Sequence, residues 1–185
     1  MSVATSTLAL VPAVITETFY DGNRTRRPES HFLDFVVDGR SLRDITQEPD
    51  LVTELNRPWL HVVPDAVERL LGRVATEGIA EGRVMLLVCG LCGDLGCGAI
   101  TALLDVDTDS VAWSDFLYEN TYAEPTPVES LPAPLVFDRA AYEETLTNAP
   151  ALVATLPFDE VEHARRGWLW PWQWGWKMPR SDTSR

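Results

Sequence analysis

The stretch Cys89-Gly90-Leu91-Cys92-Gly93-Asp94-Leu95-Gly96-Cys97-Gly98 holds every cysteine of the chain and four of its eleven glycines. An apolar run, Val84 to Val88, leads into it, and a second, Ala99 to Leu104, leads out. Two β-type segments joined by a glycine-rich connection form a hairpin or a close relative of one. Cys89 and Cys97 then stand near each other at its neck, with Cys92 on the loop between. Any fold open to this chain has to carry three thiols at one end of a strand pair.

The segments around that loop extend it into a sheet. Arg83 to Cys89 does not alternate apolar with polar residues, which predicts a central strand covered on both faces. Ala99 to Val106 returns, Asp107-Thr108-Asp109-Ser110 turns, and Val111 to Tyr118 makes a third strand. Strict alternation puts Val111, Trp113 and Asp115 on one face, and Ala112, Ser114 and Phe116 on the other. Upstream, Thr7 to Phe19 reads as an opening strand broken at Pro12, and His31 to Val37 as the strand returning beside it. Ser41 can cap a short helix, Leu42 to Gln47.

The clearest helix starts at Pro64 and Asp65, buries Val67, Leu70, Leu71 and Val74, and stops at Gly78. Ala123 to Pro134, with four prolines, reads as a linker or an edge-covering loop. Leu135 to Phe137 is a short strand, and Asp138 caps a helix carrying Ala141, Tyr142 and Leu146 inward. Asp159 and Glu162 have capping-box spacing for a last helix. Segregated helices around a largely antiparallel sheet, centred on a three-strand meander at about 83–118, predict an α+β domain. Residues 1–160 form that single domain, and residues 161–185 a basic, tryptophan-rich arm packed on it or partly mobile.

A chain of 185 residues builds a core without needing disulfides or a metal to fold. Its net charge of −13 excludes a general nucleic-acid binder, since phosphate contacts need a basic surface. The acidity is uneven: Arg165, Arg166, Lys177, Arg180 and Arg185 outnumber Glu162 and Asp182 in the last stretch. No run approaches the ~20 apolar residues of a transmembrane helix. The apolar run Leu8 to Ile15 has no Lys or Arg before it and is interrupted by Pro12, which makes a poor signal peptide. A cytoplasmic chain with reduced thiols is the expectation, and an odd cysteine number resists a disulfide framework.

Three chemistries are open to the cysteine loop. Metal binding is the first: Cys89-x-x-Cys92-Gly93 resembles the knuckle of rubredoxins and zinc ribbons, in which two sulfurs face one ion. Zinc takes four N, S or O ligands, and Cys97 can be the third. The spacing of the three cysteines also resembles the retroviral zinc knuckle, but the fourth position of that pattern falls on Ala102, which cannot bind. A fourth ligand would be Asp94, water, or a remote histidine: His61, His31 or His163. Thiol redox chemistry is the second, although the glycines and Asp94 after Cys92 lack the helix N-terminus or cations that lower a thiol pKa. Oxidation of Cys89 with Cys97 would need their Cα atoms about 5.5 Å apart. In the third, Cys89 and Cys97 are small buried apolar residues, and Asp94 bonds the amides of a tight loop.

The pattern Cys-x-x-Cys-Gly-Asp-Leu-Gly-Cys-Gly-Ala at 89–99, followed by Val111-x-Trp113-x-Asp115-Phe116, is similar to a family of uncharacterised bacterial proteins common in actinobacteria. Some members carry the label oxidoreductase, so the resemblance implies a thiol-dependent oxidoreductase as one alternative. The strand Phe32 to Val37, closing on Asp38-Gly39-x-Ser41-Leu42, resembles the openings of small α+β immunity-type proteins, which implies a protein partner.

Trp168, Trp170, Trp172, Trp174 and Trp176 recur with period two. An extended segment would line five indoles on one face, as a stacking platform for a sugar or a partner. The texture also resembles tryptophan-rich antimicrobial peptides, which implies anchoring at a membrane interface. Burial of the indoles against the domain's own surface is the preferred reading, because exposing so much apolar area is costly. No P-loop, dinucleotide fingerprint or nucleophile elbow is present, and Asp107, Asp109 and Asp115 lack EF-hand spacing. The sequence thus leads to a small binding or accessory protein whose cysteine loop is structural or holds one metal ion, zinc being the candidate.

Overall fold

The computed structural model describes residues 5–16, 19–21, 24–26, 29–131 and 134–160. The elements run β1 (Leu8–Thr16), β2 (Phe19–Asp21), β3 (Arg24–Arg26), β4 (Glu29–Val37), β5 (Arg40–Ser41), α1 (Leu42–Thr46), β6 (Leu51–Val52), α2 (Val63–Leu70), β7 (Arg83–Cys89), β8 (Ala99–Val106), β9 (Ser110–Asn120), β10 (Ala123–Pro127), β11 (Leu135–Asp138), α3 (Arg139–Thr147) and α4 (Ala149–Ala154). Antiparallel strands with a few short helices make this an α+β fold, as the sequence pattern predicts. The expected meander is present: β7, β8 and β9 are consecutive neighbours in a sheet of order β10-β9-β8-β7-β6, with β11 paired to β9. A smaller sheet has the order β1-β4-β5, and β2 pairs with β3. The final helix expected beyond Asp159 and the tryptophan arm fall in residues 161–185, outside the described residues.

Several expectations need correction. β1 runs unbroken through Pro12, which pairs opposite Leu33 on the outer strand of its sheet, where a missing N–H costs no ladder bond. Helix α2 stops at Leu70 and not near Gly78. Gly72, at φ +70°, occupies the left-handed position after its end. The N–H of Gly72 donates to Arg69 O at 2.9 Å and that of Arg73 to Glu68 O at 2.9 Å, the pair of bonds that closes a Schellman motif. Val74 therefore lies beyond the helix and is exposed. Ala141 is exposed on α3, while Tyr142 and Leu146 are buried as expected. Residues 123–127 are not a linker but an exposed outer strand, compatible with their prolines.

Strict alternation fails on β9. Asp115 adopts φ +49°, and the pairing with β8 shifts there, so that Asp115 and Phe116 together face Ala102. This β-bulge resets the phase, and Trp113 and Phe116 are both buried. The bulge is held by Arg83, whose side chain is 5% exposed. The guanidinium donates to Asp115 Oδ2 at 2.7 Å, to the Asp115 carbonyl at 2.5 Å and to Thr101 Oγ1 at 3.1 Å. Glu119 Oε1 lies 3.2 Å from Arg83 Nε.

The core lies between the two sheets and the helices. Trp113 is its centre, edge-on to Phe35 at 5.5 Å, Phe137 at 4.9 Å and Tyr142 at 5.9 Å between centroids. Its indole N–H donates to Tyr142 Oη at 3.1 Å, and Tyr142 in turn donates to the Leu70 carbonyl at 2.8 Å. That carbonyl belongs to the last turn of α2, where no intrahelical partner exists. One phenol thus joins β9, α3 and the end of α2. At the sheet corners, Ser6 bridges Phe137 and Phe32 bridges Asn56.

Two outcomes follow. Tyr142→Phe leaves a buried indole N–H and a buried carbonyl without their partner, and urea unfolding should show a loss of about 1–3 kcal/mol. Asp34 on β4 is buried, with Oδ2 accepting from Ser41 and Oδ1 lacking a hydrogen-bond partner among the described residues. Burial pushes its carboxyl above the usual range, against the opposing pull of the Ser41 hydroxyl and Arg43. A raised folded pKa gives a contribution complete below the unfolded value of 3.8 and lost as pH rises through the folded one. The stability of wild type relative to Asp34→Asn should therefore fall as pH climbs from below 4 toward neutrality. A pH-independent difference would contradict this.

Candidate metal centre

Strand β7 delivers Cys89 at its C-terminal end. An extra residue, Leu86, sits between the Met85–Thr101 and Leu87–Ile100 pairs, and both Leu86 and Leu87 are buried. The short strand β6 fixes the other side, pairing Leu51 with Cys89 and Val52 with Val88. Arg43 of α1 donates to the Leu51 carbonyl at 2.7 Å and also to that of Pro49, which holds β6 in place. The Gly90 amide donates to Asp50 O at 3.1 Å. A Cβ at Gly90 would stand 2.5 Å from Ile15 Cδ1 and 3.0 Å from Asp50 O, so a larger residue would have to displace the Ile15 side chain and crowd the Asp50 carbonyl.

The loop then folds back on itself. The Gly93 amide donates to the Cys89 carbonyl at 2.9 Å, and Gly93 takes φ +68° beneath the indole of Trp59. Asp94 caps a 3-10 turn, Leu95–Cys97, its carboxylate accepting from Gly96 N at 2.6 Å. The expected bond from Asp94 to loop amides is thus present. The amides of Cys97 and Gly98 close the turn onto Asp94 O at 3.1 Å and Leu95 O at 3.0 Å. From β9 and just past it, Tyr118 and Thr121 brace the far side. Thr121 donates to the Gly96 carbonyl at 3.3 Å, and the Tyr118 hydroxyl sits 2.4 Å from where a Cβ on Gly98 would be.

The result is a cluster of three sulfurs, Cys89, Cys92 and Cys97, all within 4.8 Å of one another. Cys92 and Cys97 are in direct contact, with Sγ–Sγ 3.4 Å. An ion bonded to two thiolates at ~2.3 Å in a tetrahedron sets the sulfurs roughly 3.8 Å apart, within the range seen. All three cysteines are free; Cys92 and Cys97 are exposed, and Cys89 is half-buried. This corrects the alternative in which Cys89 and Cys97 are buried apolar residues. Cys89 and Cys97 do lie near each other, as expected, with Cys92 close to both.

Although Cys92 as a whole residue is exposed, partial desolvation of its sulfur within the cluster pushes the thiol up to about 12, with the Cys97 and Cys89 sulfurs adding to the effect. The backbone N–H of Asp94 acts in the opposite sense by hydrogen-bonding the Cys92 sulfur. Three sulfurs facing one point disfavour a thiolate unless a cation sits among them, and a bound cation reverses that preference.

The remaining candidates stand apart. His61 is exposed before α2, and neither it nor Asp94 belongs to the sulfur cluster. His31 on β4 lies 3.4 Å from a Glu29 carboxylate oxygen. His163 and Trp168, Trp170, Trp172, Trp174 and Trp176 lie outside the described residues. The braces supplied by Trp59, Tyr118 and Thr121 carried no signal in the sequence, because each reaches the loop from a distant segment.

Gly98 has φ +127° and ψ 138°, a conformation L residues avoid. Gly98→Ala should cost about 1–3 kcal/mol in urea unfolding, from backbone strain together with the clash against Tyr118. An unchanged midpoint would mean that the neck of the loop yields freely.

Among the described residues, no helix is long and apolar enough to cross a membrane. Comparison of the chain with protein families, with curated proteins and with solved structures returns no match in any of the three.

Proposed function

We propose that this chain is a small binding or accessory protein that holds one metal ion on Cys89, Cys92 and Cys97. The observation that carries the reading is the convergence of three thiols on one point at the end of a rigid strand pair. Thiolates at that spacing select a borderline or soft ion, and zinc is the candidate in a reducing compartment. Asp94 and His61 lie outside the sulfur cluster, and two of the three cysteines are exposed, so water is the fourth ligand of this reading. Thiol-dependent oxidoreductase chemistry is the weaker alternative, because repeated catalytic turnover needs a thiol held below its ordinary pKa and the Cys92 thiol is pushed the other way.

Native mass spectrometry of protein purified without chelator should show one zinc per chain, absent in Cys92→Ser. Metal-free wild type that also fails to take up added zinc would overturn the reading. Binding has to displace thiol protons, so affinity should fall as pH falls, by about tenfold per pH unit for each proton displaced. Competition titrations with a chromophoric chelator between pH 6 and 8 would measure that slope. A flat profile would mean that the thiols are not the ligands.

A further inference from the structure

We infer that the sulfur cluster is an oxidation-gated site, in which Cys92 and Cys97 join as a disulfide and discharge the metal. The release step rests on the metal reading above; formation of the disulfide does not.

The geometry singles out one pair of the three possible. Cys92 and Cys97 are exposed, and their sulfurs touch at 3.4 Å. A disulfide needs about 2.05 Å, so the sulfurs must close by little more than an ångström. Both residues lie on the loop, separated by Gly93-Asp94-Leu95-Gly96, whose two glycines let the backbone adjust. Cys89 is different. It is half-buried, its strand is paired with β6, and its carbonyl is tied to the Gly93 amide. The backbone of Cys89 is held in the sheet and its sulfur is the least exposed of the three, whereas Cys92 and Cys97 both sit on the loop with their sulfurs already in contact.

The oxidant is a peroxide that reaches the exposed sulfurs. One thiolate attacks a peroxide oxygen, the O–O bond breaks, and hydroxide leaves to be protonated to water. The sulfenic acid so formed is attacked by the neighbouring thiolate: the S–S bond forms, the S–O bond breaks, and a second hydroxide leaves as water. Two thiolates lose two electrons in all, one peroxide accepts them, and two protons are consumed. The metal loses two of its three sulfur ligands. Cys89 alone cannot retain it, so the ion leaves as the disulfide forms. A thiol reductant restores both sulfurs and the site.

The test is peptide mapping of the full-length protein under non-reducing conditions after one equivalent of hydrogen peroxide, with released zinc followed by a chromophoric chelator. The expected result is a Cys92–Cys97 disulfide, Cys89 still alkylatable, and about one zinc released per disulfide. The same disulfide should form in Cys89→Ser, and dithiothreitol should restore zinc uptake in wild type. A disulfide that includes Cys89, sulfinic acids in place of a disulfide, or zinc retained alongside the Cys92–Cys97 bond would each overturn the inference. Protein that never binds zinc yet forms the Cys92–Cys97 disulfide would defeat the metal reading and leave the oxidative step standing.

Discussion

A buried guanidinium sets the geometry of this sheet. Arg83 enters at the start of β7 and reaches across β8 to β9, where it binds both the carboxylate and the carbonyl of Asp115. Those contacts stabilise a left-handed aspartate in mid-strand, a conformation that costs of order 1–3 kcal/mol unless its surroundings support it. The gain is a change of phase. Before the bulge, Val111 and Trp113 face the core; after it, Phe116 does, and Tyr118 packs at the core margin. Without the extra residue the second half of β9 would turn over, and Tyr118 would leave Gly98. The ion pair therefore acts on the thiol loop through the register of one strand. The Asp115 carboxylate is largely exposed, so solvent screens the ion pair itself, and the hold on the bulge comes from the hydrogen bonds of the buried guanidinium to the Asp115 carbonyl and Thr101.

The cysteine loop relies on steric exclusion as much as on hydrogen bonds. Gly90 passes under Ile15, Gly93 under Trp59, Gly96 beside Thr121 and Gly98 under Tyr118. The neighbours come from three separate segments of the chain, with Tyr118 on β9 and Thr121 just past its end, so the loop is pressed into shape from several sides. The capped turn at Asp94 then points Cys97 back toward Cys92. Gathering three thiols from a flexible segment would cost conformational entropy for every residue ordered, of order 1–2 kcal/mol each. Here folding has already met that cost, and a ligand ion encounters preformed sulfurs.

Patterns confined to neighbouring residues were legible in the sequence. The meander, the cap at Asp138, the buried stripe Val67, Leu70 and Leu71, and the antiparallel pairing of the first two long strands depend on local periodicity and turn chemistry. So did the proximity of the three cysteines, since a short glycine-rich hairpin loop leaves them little room to separate. What escaped depends on distant partners. Nothing near Asp115 announces a bulge; the cause is Arg83, thirty-two residues earlier. Residues 123–127 have the composition of a linker and become a strand only because β9 offers an open side. Val74 continues the helical stripe on paper, but Gly72 ends the helix first.

The exposure of the sulfurs bears on the chemistry they can perform. A structural zinc site usually buries its thiolates, which shields them from oxidants and competing ligands. In this loop the scaffold is rigid below Cys89, while Cys92 and Cys97 face outward in contact with each other. The two thiolates that would complete a metal site are thus the two best placed to react together. Occupation by a cation and closure of a disulfide draw on the same electron pairs, so they exclude each other. The half-buried Cys89, anchored in the sheet, takes part in the first state only.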